Sequence, residues 1–130
     1  GKDLRHAQRS VIIESPFITA KRMEELLPIL RKLRQRGVRI TVNTRDPKEH
    51  DDAEYEYQAA LAVYEMQELD ITVLYTVKHH RKLAIIDGEI LWEGSLNILS
   101  QIDSCEIMRR TVSQQLANEV VRFINAGRWL

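Results

Sequence analysis

The chain has 130 residues, 44% of them hydrophobic, which fits one globular domain with a modest core. Lys+Arg and Asp+Glu both number 19, so no global field draws in a polyanion or an anionic membrane, and such affinity must come from local patches. A single cysteine, Cys105, excludes an intrachain disulfide and suits a reducing, cytoplasmic setting. There it is read as a small buried thiol in a strand. The sequence holds no long uncharged apolar stretch and no signal-peptide pattern, and its start at Gly1 leads us to expect a domain excised from a larger protein.

Ser10-Val11-Ile12-Ile13-Glu14 is a β-branched apolar run stopped by Ser15-Pro16, which predicts a buried first strand. From Thr19 the period becomes helical. Met23, Leu26, Leu27, Leu30 and Leu33 share a face, Thr19 is the expected N-cap and Gly37 the stop, while Pro28 should kink or break the helix. Val38 to Val42 is a second strand, and a strand–helix–strand unit implies parallel pairing. Asn43 to Asp52 is polar, contains Pro47 and reads as a loop, with Asp51 and Glu54 as an acidic capping box. The helix that follows carries Ala53, Tyr57, Ala60, Leu61, Tyr64 and Glu68 as a mostly apolar stripe.

Ile71 to Tyr75 makes a third strand. Two strand-like runs, His80–Ile86 and Glu89–Trp92, then flank Asp87-Gly88, a type I′ hairpin signal. Glu106 to Val112 reads as a further strand, and Ser113 opens a last helix with Leu116, Val120, Phe123 and Ile124 facing in. The expected fold is α/β: one domain over residues 1–130, with a mixed, mostly parallel sheet flanked by helices on both faces.

The residues that can do chemistry lie in the second half. In a strand, residues i and i+2 point to the same face, so His80 and Lys82 stand side by side. An imidazole that titrates near neutral pH beside a fixed ammonium suits an anionic substrate, above all a phosphodiester. Alone, the pair is better read as an exposed strand with two polar residues facing water. Gly94-Ser95-Leu96-Asn97 shifts that balance, because the hairpin folds a glycine, a hydroxyl and an amide back beside the pair. His79 points to the opposite face and reads as a packing or surface residue. Asp87, seven residues from His80, also faces away, and its expected role is to fix the turn. A second basic patch, Arg31, Lys32, Arg34, Arg36 and Arg39, reads as a solvated helix face. The histidines form no ligand cluster, so neither a metal nor another cofactor is expected.

The run His80-x-Lys82-x4-Asp87-x6-Gly94-Ser95-x-Asn97 resembles the HKD signature of the phospholipase D superfamily with its following Gly-Ser-x-Asn. Glu14-Ser15-Pro16-Phe17-Ile18 and the Arg-Gly-Val-Arg-Ile stretch at 36–40 resemble its bacterial nuclease-like branch. The resemblance implies a metal-independent phosphodiesterase in which His80 is the nucleophile and forms a phosphohistidine. Lys82 and Asn97 would bind the nonbridging oxygens, Ser95 would shape the pocket, and Glu106 would orient the histidine. Family enzymes use two such motifs and this chain carries one. The second copy must then come from a twofold partner or from a missing part of the parent protein; the expectation is a homodimer with the site at its interface, acting on DNA or RNA rather than at a membrane. The alternatives are a silent dimerisation or nucleic-acid-binding module of a larger DNA-processing protein, and a phospholipid-directed enzyme.

Overall fold

The computed structural model describes residues 2–15, 19–49, 52–75, 82–94 and 108–129. Among them, a short helix α1 (Lys2–Arg5) leads into β1 (Ser10–Glu14), α2 (Ala20–Gln35) and β2 (Arg39–Thr44). A 3₁₀ turn at Pro47–Glu49 precedes α3 (Ala53–Glu68) and β3 (Thr72–Tyr75). The strands β4 (Leu83–Ile86), β5 (Ile90–Gly94) and β6 (Met108–Val112) follow, and α4 (Gln114–Trp129) closes the chain.

These strands form one sheet in the order β3-β2-β1-β4-β5-β6. Its two halves differ in kind. The helix-connected strands β1, β2 and β3 pair in parallel, whereas β1–β4, β4–β5 and β5–β6 pair antiparallel. The sheet is mixed, as expected, with parallel pairing confined to the half wound through α2 and α3, where crossovers demand it.

Alternation along the strands assigns the two faces. Val11, Ile13, Ile40, Val42, Ala84 and Ile86 join one buried cluster with α2 and α3, while Ile12, Leu83, Ile85 and Leu91 pack with α4 through Leu116, Ala117, Val120 and Val121. Helices thus cover both faces. Phe123 and Ile124, expected to face inward, have side chains outside the described set.

The termini of α2 follow local chemistry. Thr19 Oγ1 accepts from the Arg22 N–H at 3.3 Å. At the other end Gly37 takes φ +83°, its N–H donates to the Arg34 carbonyl, and the Val38 N–H donates to the Leu33 carbonyl. This six-to-one, five-to-two pair of bonds is the Schellman termination. Pro28 does not break α2, which runs unbroken from Ala20 to Gln35.

Three expectations need correction. Asn43 and Thr44 are not loop residues but the buried last residues of β2. The N-cap of α3 is Asp52, whose carboxylate accepts from the Glu54 and Tyr55 N–H groups; Asp51 lies outside the described residues. The buried face of α3 is Ala59, Ala62, Val63 and Met66, while Tyr57, Leu61 and Tyr64 are 66%, 40% and 60% exposed. Small side chains let α3 approach its neighbours closely, and tyrosines tolerate water through their hydroxyls. Tyr64, for example, donates to the Glu68 carboxylate, which pushes the phenol pKa up.

Candidate active site

The register gathers one set of residues at one end of the sheet. Glu14, the last residue of β1, pairs with Asn43 of β2 on one side and with Leu83 of β4 on the other. Thr44 pairs with Tyr75 at the end of β3. On the other flank the Gly94 N–H donates to the Lys82 carbonyl at 3.2 Å, and Gly94 pairs with Met108. The chain winds from central β1 outward through β2 and β3, then returns to β4 on the opposite side of β1. Ligands of open α/β sheets bind outside the carboxyl ends of the strands where the winding direction reverses. Here that place is the end carrying Glu14, Asn43, Lys82 and Gly94.

Of the residues picked out by sequence, Lys82 and Gly94 stand at this end, hydrogen-bonded across neighbouring strands. Lys82 is half-buried and immediately precedes β4. Gly94 is exposed and closes β5, so it belongs to the strand rather than to the turn after it. His80, His79, Ser95, Asn97, Glu106 and Cys105 lie outside the described residues. Their described flanks, Lys82, Gly94 and Met108, sit together.

Asp87 stands at the other end of β4, in the turn. Asp87 and Gly88 take φ +55° and +67°, the two left-handed positions of a type I′ hairpin. The Asp87 carboxylate accepts from the backbone N–H groups of Arg9 (2.6 Å), Gln8 (3.0 Å) and Ser10 (3.1 Å), and the Arg9 guanidinium donates to the Asp87 carbonyl. Partial burial raises the carboxyl pKa, but those N–H bonds and the Arg9 charge outweigh it and hold it below the usual carboxylate range. Asp87 therefore ties the entry of β1 to the hairpin.

The basic patch of Arg31, Lys32, Arg34, Arg36 and Arg39 also lies away from the site end, at the C-terminus of α2 and the start of β2. Two of its members do structural work. Arg34 donates to the Val38 and Leu69 carbonyls at 2.9 and 3.1 Å, and Arg36 to the Ala7 and Arg5 carbonyls at 2.6 and 3.0 Å. Elsewhere, Asp3 of α1 takes a bidentate pair from Arg110 and the Trp92 indole N–H at 2.7 Å. The Arg110 bond depresses the Asp3 carboxyl against the opposing effect of burial, with help from Trp92.

The sequence reading missed a buried polar group at the site end: Glu14, Ser15, Asn43 and Thr44 are all essentially inaccessible to solvent. Glu14 Oε1 accepts from Asn43 Nδ2 at 2.7 Å, and the Ser15 N–H donates to the Asn43 carbonyl at 3.0 Å. The available signal was a pair of β-branched runs ending in the polar pairs Glu-Ser and Asn-Thr.

A family model described as "Cardiolipin synthase, PLD-like domain" matches residues 2–126. The chain belongs to the phospholipase D-like domain family. Among solved structures, Nuc from Salmonella typhimurium, a phospholipase D family member, shares the fold with a TM-score of 0.76 at 16% identity. That match covers 94% of this chain and 79% of Nuc. NucT from Helicobacter pylori matches with a TM-score of 0.71 at 16% identity, over 96% of this chain and 82% of its own. TrmBL2, an archaeal chromatin protein with a novel mode of DNA binding, matches at 0.61 and 12% identity, over 96% of this chain and 45% of its own. A search of curated proteins finds no matching sequence. The PLD-like assignment agrees with the motif, and the shared fold accounts for the parallel half-sheet continued by an antiparallel one.

Proposed function

We propose that this PLD-like domain is a metal-independent phosphodiesterase that cleaves nucleic acid through a phosphohistidine at His80. The observation that carries the reading is the pairing of Lys82 with Gly94 beside the carboxyl end of central β1. Lys82 and Gly94, the described residues that flank the remaining motif positions in the sequence, are hydrogen-bonded across one strand pair. In the proposed reaction, His80 Nε2 attacks phosphorus and the bond to the leaving oxygen breaks. The His80 imidazolium of a second protomer protonates that oxygen. Water then attacks the phosphohistidine, gives its proton to the second imidazole, and releases the phosphate ester. Lys82 and Asn97 hold the nonbridging oxygens, Ser95 shapes the pocket, and Glu106 fixes the imidazole tautomer.

One motif per chain supplies one histidine, so the active species is a twofold homodimer with the site at its interface. Cleavage of DNA or RNA should persist in EDTA and vanish in His80→Ala. Retained cleavage in that variant, or strict metal dependence, overturns the reading.

A second reading, a silent nucleic-acid-binding module, draws support from the fold shared with the DNA-binding TrmBL2. Binding without turnover on any diester, and without labelling of His80 by an activated diester, would establish it. Lipid-directed chemistry is suggested by the description of the family model. Among the described residues no helix is long and apolar enough to cross a membrane. Turnover of phospholipid vesicles, with none of nucleic acid, would favour that chemistry.

A further inference from the structure

Charge is segregated along the chain more sharply than its neutral total implies. Between Lys48 and Lys78 there are eight Asp or Glu residues and neither Lys nor Arg, although the whole chain carries 19 of each sign. Helix α3 lies within this stretch and is apolar on two sides. Ala59, Ala62, Val63 and Met66 face the core, while Tyr57, Leu61 and Tyr64, at helical spacing, are exposed on the opposite side. Helical spacing puts Glu54 and Glu65 on one flank of this outer stripe and Glu56 on the other. Glu68 continues it and accepts from the Tyr64 hydroxyl. A helix buried on one face ordinarily turns a polar face outward, and an exposed apolar stripe rimmed by charge marks an interaction surface.

The stripe borders a groove of about 320 Å³ between α2 and α3, lined by Leu27 and Pro28 of α2 and by Leu61 and Ala62 of α3. The Gln58 Oε1 of α3 accepts from the Ala20 N–H at 2.9 Å and fixes one helix against the other. Glu24 and Glu65 also line the groove, together with Arg31. Backbone groups in the interiors of the two helices are already bonded, so an extended segment would find no partners there for its own N–H and carbonyl groups. A helix brings those groups already paired.

Charge selects the kind of helix. The carboxylates repel nucleic acid and anionic lipid and favour Lys and Arg, which tyrosine rings also attract. A second copy of the chain is a poorer match. Among the described residues, α2 exposes no Leu, Ile, Met or aromatic side chain. Within the basic patch, Arg34 and Arg36 already donate to backbone carbonyls.

We propose that the outer face of α3, with its groove against α2, docks a cationic amphipathic helix of a partner protein. Apolar side chains of that helix pack on Tyr57, Leu61 and Tyr64, and its lysines or arginines meet the flanking carboxylates. The inference goes beyond the phosphodiesterase reading and does not depend on it.

The test is calorimetric titration of the full chain with a synthetic helical peptide that carries Leu at i, i+3, i+4 and i+7 and Lys elsewhere. A control peptide has Glu in place of Lys. The Lys peptide should bind one to one and the Glu peptide should not, and affinity should fall several-fold as salt rises from about 0.05 to 0.5 M. Leu61→Lys should weaken the Lys peptide by at least about tenfold. Tyr64→Lys, at a more exposed position, should do likewise and decides the matter if Leu61→Lys does not fold by circular dichroism. No binding by the wild-type chain, equal binding of the Glu peptide, or undiminished binding by either folded variant overturns the proposal. So does self-association of the wild type, seen by light scattering, that both variants abolish, since the occupant is then a second copy.

Discussion

Asp87 shows how one motif residue can matter without touching a substrate. Its carboxylate gathers three backbone N–H groups from residues 8–10, so its loss strands several donors at once. Asp87→Asn keeps a side chain that tolerates the left-handed backbone but removes the charge and part of the acceptor capacity. The expected cost is about 1–2 kcal/mol, seen as a Tm lower by several degrees, with kcat of the folded protein unchanged. The pH dependence has a definite sign. A carboxyl held below its unfolded value contributes stability that is fully present above about pH 4 and is lost as pH falls through the depressed folded value. Melts of the two proteins should therefore differ most near neutrality and converge in acid. A Tm gap that persists undiminished into strong acid would count against this account.

At the scale of elements, the two crossover helices end in the same way with different residues. Gly37 closes α2 with φ +83°, and Asp70 closes α3 with φ +61° and the matching pair of bonds, Asp70 N–H to Gln67 and Ile71 N–H to Met66. A Cβ at Gly37 would meet nothing within 4 Å, so Gly37→Ala should cost only the backbone strain, about 1 kcal/mol. Asp70→Gly relieves that strain and should raise stability by up to about 1 kcal/mol. Urea unfolding of both variants, moving in opposite directions with unchanged m-values, is the check.

Such ends were legible because cap and turn residues act locally: Thr19, Gly37, Ser113 and Asp87-Gly88 each mark a boundary that the fold respects. The apolar face of α3 was not legible. Tyr57-Leu61-Tyr64 and Ala59-Ala62-Val63-Met66 both follow helical spacing, and only tertiary packing chooses the slimmer face. The same limit hid Asn43 and Thr44, because polarity in a sequence does not distinguish a loop from a buried strand end. At the site, the motif could be read from spacing alone. The Glu14–Asn43 pair joins residues far apart in the chain and needed the β1–β2 register to become visible.

For the whole molecule, the arrangement of charge and the single motif bear on how two copies would work together. The exposed side of α3 carries Glu54, Glu56 and Glu68 among its tyrosines and no basic residue, so a polyanion should avoid it. The twofold axis of the proposed dimer passes beside the strand end where Lys82 is half-buried and Gly94 exposed. In the proposed dimer one His80 attacks while the other protonates, so a dimer with a single intact histidine lacks either nucleophile or acid. Random assembly of equal amounts of wild type and His80→Ala would leave about a quarter of the dimers fully intact. Activity after unfolding, mixing and refolding should then fall to about a quarter of that of an all-wild-type sample at the same total protein concentration. Independent protomers would instead retain about half, and such a result, or a strictly monomeric active species by light scattering, would exclude a shared site.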